Sequence, residues 1–96
     1  MSEFLDKMAE ELRAKLGDQT MSKTVKFAVP DEGAVMLDPD GVRVADEESD
    51  VTITADADTL MALFQGDLNP TAAFMTGKIK IDGDMGAAMA LSSLLG

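Results

Sequence analysis

The chain has 96 residues, 18 of them acidic and 8 basic, for a formal net charge of −10, and it contains neither cysteine nor histidine. Those two absences exclude a disulfide framework, a thiolate nucleophile, a Cys- or His-based metal site and the usual general base of neutral pH. The acidic balance argues against nucleic acid and against anionic membranes, whose phosphates would repel it.

The length suits one domain over residues 1–96. The excess of acid reads first as a solubilising coat on a chain that is 46% hydrophobic. Met1 to Asp6 carries acids and no apolar run, unlike a signal peptide. No stretch approaches the roughly 18 consecutive apolar residues of a membrane span. A cytoplasmic protein without stable membrane insertion is therefore expected.

Residues 2–16 carry helical periodicity. Phe4, Leu5, Met8, Leu12 and Leu16 fall on one face, with Ser2 as a cap and Gly17 as a stop. Glu3–Lys7 and Glu11–Lys15 stand four apart with the acid first, the favourable order. Residues 23–29 alternate, with Val25, Phe27 and Val29 on one side of a half-buried strand. Pro30-Asp31-Glu32-Gly33 is a turn, 34–38 a second strand, Asp38-Pro39-Asp40-Gly41 another turn and 42–45 a third strand. An acidic loop, Asp46 to Asp50, leads to a fourth strand over 51–55. Asp56 or Asp58 can cap a helix to Gln65, ended by Gly66. Asn69-Pro70 opens a short helix, with Asn as cap and Pro in the first turn, ended by Gly77. Residues 78–82 alternate Lys-Ile-Lys-Ile-Asp as a fifth strand, broken by Gly83. Asp84 then caps a final helix to about Leu95 that is almost wholly apolar. The order α-β-β-β-β-α-α-β-α predicts an α+β fold, one small sheet with helices packed on it.

Little in the sequence supports catalysis. No serine has a histidine to activate it, and Gly-x-Ser-x-Gly is absent. Asp38-x-Asp40-Gly41 faintly resembles a calcium loop, but Met36 stands where its first ligand would fall. Cation binding by the acidic residues 46–50 stays open. Gly83-Asp84-Met85-Gly86 lacks the middle glycine of a dinucleotide loop, and Asp84 would repel a phosphate. It reads better as a capped helix start. Neither a cofactor nor a metal is expected.

The remaining feature is apolar surface in excess of what five short strands can cover. Phe64, Leu68, Phe74, Met75, Met85, Met89 and Leu94 come from three successive helices. Eight methionines add flexible, polarizable side chains that adapt to more than one shape. Such a surplus has three outlets: a dense core, a partner protein or an internal pocket. Composition alone favours the plain core.

A resemblance narrows the choice. The run from Ala62 to Met85 holds a helix ending in Gly66, then Leu68-Asn69-Pro70, then Ala73-Phe74. After these come Thr76-Gly77-Lys78-Ile79-Lys80-Ile81 and Gly83-Asp84-Met85. With Ala88-Met89-Ala90-Leu91 and the strand Asp50-Val51-Thr52-Ile53-Thr54, it resembles the sterol carrier protein 2 family, in particular its small stand-alone bacterial members. The likeness covers about 45 residues; the first 50 share only the element order.

The resemblance implies a five-stranded, mostly antiparallel sheet covered by helices. A hydrophobic tunnel between the two layers would take sterols, fatty acids, fatty acyl-CoA, isoprenoids or quinone-type lipids. It places Phe64, Leu68, Phe74, Met75, Met85 and Met89 on the apolar lining. Asp67 stands where the family commonly has lysine, and Asp84 where it has asparagine; the first counts against acyl-CoA. The chain ends at Gly96 without a Ser-Lys-Leu-type peroxisomal signal. Two non-enzymatic roles follow: a lipid carrier, or an accessory module docking its apolar last helix on a lipid- or quinone-metabolising enzyme or on a second copy.

Overall fold

The computed structural model describes residues 3–95. The proposed cap Ser2 lies outside that range. In chain order the elements are α1 (Glu3–Leu16), β1 (Val25–Val29), β2 (Gly33–Asp38), β3 (Gly41–Val44), β4 (Val51–Thr54), α2 (Ala57–Gln65), α3 (Pro70–Met75), β5 (Lys80–Gly83) and α4 (Met85–Leu95). The element order is the one expected, and the architecture is α+β.

Helix α1 buries Leu5, Met8, Ala9, Leu12 and Leu16, the stripe its periodicity marks, while Phe4 is half-buried. The ion pair along it joins Lys7 to Glu11 at 3.9 Å, in place of the expected Glu3–Lys7 and Glu11–Lys15 pairs. At its last turn Arg13 donates to the carbonyl of Val42 at 2.8 Å.

The sheet order is β3-β2-β1-β4-β5. Two tight hairpins join β1, β2 and β3. In the first, Glu32 N–H donates to the Val29 carbonyl at 3.0 Å, with Asp31 at φ 68°. Proline followed by a residue of positive φ is the pattern of a type II turn. In the second, Asp38 pairs with Gly41, and the Asp38 carboxylate accepts from Asp40 N–H at 2.9 Å. It also pairs with Arg43. That is how the one buried acid among the described residues is satisfied.

β4 does not extend this meander. It pairs with β1 in parallel, Phe27 opposite Ile53, and β5 then pairs antiparallel with β4, Ile53 opposite Ile81. The segment 45–50 must therefore carry the chain past β2 and β1. It does so over the face turned away from the helices. On that face Lys26, Met36 and Arg43 are cross-strand neighbours. Asp46 takes Lys26 at 2.9 Å, Glu47 takes Arg43, and Met36 beneath them is fully buried. The acidic loop is thus held by basic side chains of the sheet.

Every strand differs from expectation by one or two residues at an end, and three of those ends have local reasons. β1 starts at Val25 because Thr24 is used as a clasp: its N–H donates to the Asp50 carboxylate and its carbonyl accepts from Asp50 N–H. β5 starts at Lys80 because Lys78 N–H is tied back to the Ala73 carbonyl of α3 at 2.8 Å. Gly83 ends β5 from inside the strand, paired with Val51, instead of breaking it.

The opposite face carries Val25, Phe27, Val29, Val35, Leu37, Val51 and Ile53, all buried. α1 lies over β2 and β3, and α4 over β4 and β5. α2 packs on α1 and sends Phe64 edge-on into the Phe27 ring, with centroids 5.0 Å apart and planes at 87°. Asp56, not Asp58, caps α2, accepting from Thr59 N–H at 2.8 Å. Asp84 caps α4, accepting from Gly86 N–H at 2.8 Å and from Ala87 N–H at 3.3 Å, and pairs with Lys23 before β1.

Two predictions follow from this frame. Gly41 and Gly83 have nearly the same positive φ, 116° and 118°, but a Cβ on Gly41 meets nothing within 4 Å, whereas one on Gly83 meets the Asp50 carbonyl oxygen at 2.5 Å. Gly41→Ala therefore costs strain alone, about 1–3 kcal/mol. Gly83→Ala costs visibly more, measured as the difference in urea midpoint. The second concerns the Lys23–Asp84 pair. The Lys23 hydrogen bond and the α4 amides lower the Asp84 pKa, and Asp84 raises that of Lys23. A lowered carboxyl pKa gives stability that is present above the ordinary value of 3.8 and lost as pH falls through the lowered one. A raised amine pKa gives stability that persists to 10.5 and is lost above it. Urea midpoints should hold through neutrality and drop in acid. Asp84→Asn should lower the midpoint at pH 7 and flatten part of the acid limb.

Candidate functional site

Helices α3 and α4 cover the β4–β5 end of the sheet incompletely. The reason is local. Asn69 starts α3 by accepting from Thr71 and Ala72 N–H at 2.8 and 3.1 Å, and the helix stops after six residues. So short a helix cannot roof two strands. α4 buries Ala87, Ala88, Leu91 and Leu95 on one side. Small alanines near its start leave space against the sheet.

That space is a cavity of about 500 Å³. Its floor is the helix-facing side of the sheet, Phe27 and Ile53, continued by Ile79 and Ile81 from β5 and the approach to it. Leu63 of α2 closes one end. Pro70 and Phe74 of α3 form one wall, and Met85, Ala88, Met89, Leu91 and Leu95 of α4 the other. Asn69, Thr71, Ser92 and Ser93 supply the polar atoms. None of the lining residues is ionisable. Phe74, Met85 and Met89 are 46%, 50% and 70% exposed, so they mark the mouth.

The six residues placed on the lining by resemblance divide. Phe74, Met85 and Met89 stand at this cavity. Phe64 is turned into the core against Phe27, and its neighbour Leu63 reaches the cavity instead. Leu68 is half-buried against the core, and Met75 projects outward, 78% exposed. Helix rotation decides Phe64 and Met75, since adjacent residues point about 100° apart, whereas Leu68 lies in the link between α2 and α3. The floor residues Ile53, Ile79 and Ile81 were not singled out as lining. Their signal was present, in the alternation of Thr-Ile-Thr and Lys-Ile-Lys-Ile, which turns every second side chain to the same face.

No carboxylate cluster offers an alternative site. Asp46 and Glu47 are engaged by Lys26 and Arg43, and Asp50 by Thr24. Among the described residues there is no group of three or more Asp or Glu that could hold a metal ion. No helix of the described residues is long and apolar enough to cross a membrane.

Comparison with known proteins agrees with this geometry. Residues 2–96 match the family model described as the SCP-2 sterol transfer family. The chain is 37% identical over 95 residues to sterol carrier protein 2 of Rattus norvegicus, covering 96% of this chain but 16% of that protein. The curated relatives are thus several times longer than the matched stretch. The solution structure of the sterol carrier protein domain 2 of Helicoverpa armigera superposes with a TM-score of 0.72 at 31% identity, covering 94% of this chain and 83% of that one. A sterol carrier protein 2 of Aedes aegypti, solved in complex with palmitate, superposes at 0.74 with 19% identity, covering 100% and 97%. With a family match over nearly its whole length and the same α+β sheet beneath the same helices, the chain belongs to the SCP-2 sterol transfer family.

Proposed function

We propose that residues 1–96 act as one non-enzymatic carrier domain that binds a lipid between sheet and helices and transfers it. The ligand class includes fatty acids, sterol-like molecules, isoprenoids and quinone-type lipids. The observation that carries the reading is the cavity of about 500 Å³ walled by Phe27, Ile53, Ile81, Phe74, Met85 and Leu91, without a charged group on it. Its volume lies within the roughly 300–1,000 Å³ of small-molecule sites. Family membership and the palmitate held by the Aedes aegypti relative support it.

Binding would be driven by apolar area removed from water. A ligand burying about 300 Å² would gain about 7 kcal/mol before the entropy of association is subtracted. Methionines at the mouth can repack around different chains. A chain without histidine or cysteine offers no ready nucleophile or general base, which favours carriage over catalysis.

A second reading draws on the same exposed side chains. Phe74 of α3 and Met85 and Met89 of α4 are exposed at the mouth of the cavity, and through this face α4 would dock on an enzyme or a second copy. A concentration-dependent mass in sedimentation would favour it; a strict monomer that carries lipid would favour the carrier.

Native mass spectrometry of freshly purified protein, followed by extraction, should reveal a stoichiometric apolar adduct. A fitting lipid at a hundredfold excess over its Kd should raise Tm by roughly 10–20 °C. Ala88→Phe, which fills the cavity from its α4 wall, should abolish that shift. If no long-chain lipid or quinone moves Tm at saturation, the carrier reading fails.

A further inference from the structure

We propose that β5 is a self-complementary sheet edge through which two copies of this chain pair antiparallel. Ile81 stands opposite the second copy's Ile81, and Lys80 opposite the second copy's Asp82. The surface is distinct from the apolar face of α4, and the inference does not depend on lipid carriage.

The first observation is that the two edges of the sheet are finished differently. At the β3 edge Arg13 reaches from α1 and donates to the Val42 carbonyl at 2.8 Å, which occupies a group that an added strand would need. At the other edge, among the described residues, no strand pairs with the outer side of β5, and Lys80, Asp82 and Gly83 are exposed. The direction of the β5 backbone groups follows from β4. The N–H groups of Val51 and Ala55 donate to the carbonyls of Thr24 and Ala28, on the β1 side. Backbone groups alternate in direction along a strand, so those of Thr52 and Thr54 turn to β5. Their partners Asp82 and Lys80 turn back to meet them. Ile81, between these two, presents both its N–H and its C=O outward.

The second observation is the order of residues along that edge. Two copies of one strand pair antiparallel about a two-fold axis. Within Lys80–Asp82 only Ile81 can sit on that axis with its backbone groups facing the other copy. Each Ile81 N–H then donates to the other copy's Ile81 carbonyl. The same register sets Lys80 opposite the second copy's Asp82, once on each side of the axis. These are non-hydrogen-bonded positions, where facing side chains come closest. Ile81 turns to the cavity, so Lys80 and Asp82 share the opposite face of the sheet. Within one copy neither has an ion-pair partner among the described residues. Their cross-strand neighbours there are the uncharged Thr54 and Thr52. The second copy therefore supplies the opposite charge that each lacks.

One short strand buries less than a standard interface, and each copy carries a net charge of −10, so the dimer is weak and reversible. Sedimentation equilibrium of the whole chain in about 0.15 M salt should give a Kd on the order of 100 µM. Lys80→Asp alone, or Asp82→Lys alone, sets like charges opposite each other twice and should weaken the dimer about ten-fold or more. An equal mixture of the two single variants restores opposite charges at both positions, as does the double variant. Both should return to within about three-fold of the parent Kd. Hydrogen exchange gives a second reading. The Ile81 N–H should slow as concentration rises, while those of Lys80 and Asp82, already bonded to β4, should not change. A strict monomer at about 1 mM, ten-fold above that Kd, overturns the proposal. So does a mixture that stays as weak as its components, or Ile81 exchange that ignores concentration. A dimer that the single variants leave intact also overturns it and assigns the contact to another surface, such as the face of α4.

Discussion

The parallel pairing of β4 with β1 is the constraint on which the rest depends. It places β1 in the middle of the sheet and forces the chain across the sheet between β3 and β4. The crossing needs a face of the sheet. Acids at 46 and 47 meet Lys26 and Arg43 there, and a buried Met36 lies below. With one face taken, every helix must share the other. α1 occupies its β2–β3 half, and α4 is left with the β4–β5 half. The division of the helical layer into a well-packed half and an under-filled half follows from that one pairing.

The two halves are built from different material. α1 carries leucines and a methionine that seal fully against β2 and β3. α4 presents alanines, leucines and terminal methionines, and α3 is too short to complete the roof. Open volume in so small a protein costs stability, because wall atoms lose their dispersion partners and a domain of this size has little core in reserve. The well-packed half, with the Phe27–Phe64 contact at its centre, offsets that cost. Phe27 belongs to both halves: one part of its ring meets Phe64, and it also floors the cavity. A ligand in the cavity would restore the missing contacts and couple directly to the core.

Electrostatics sort the surface in the same sense. The acids and bases are spread over α1, the hairpins, the crossing segment and the strand face away from the helices, while α3 and α4 carry no charge. Asp84 sits at the boundary. It caps α4 and takes Lys23, so the apolar wall is anchored at its charged end to the residues just before β1. The anchor combines this ion pair with the bond that the Asp84 N–H donates to the Asp50 carbonyl at 2.8 Å, and the wall behind it is held mainly by packing.

Much of this was legible in the residues. Alternation at Val25-x-Phe27-x-Val29 and the helical spacing of Leu5, Met8, Leu12 and Leu16 marked the buried faces, because period 2 and period 3.6 are imposed by the backbone itself. Asp56 or Asp58, Asn69 and Asp84 marked the helix starts, since a short acceptor side chain satisfies the first free amides, and the structure chose Asp56. The Leu-Asn-Pro to Gly-Lys-Ile-Lys-Ile run carried the family. Tertiary structure alone decided that β4 turns parallel beside β1, since strand pairing depends on contacts far apart in sequence. It decided too that Leu63 instead of Phe64 meets the cavity, since a turn of about 100° separates neighbours on a helix. It also brought the hydroxyls of Thr71 and Ser92, 21 residues apart, to 3.5 Å from each other, because only the packing of α3 against α4 sets that distance.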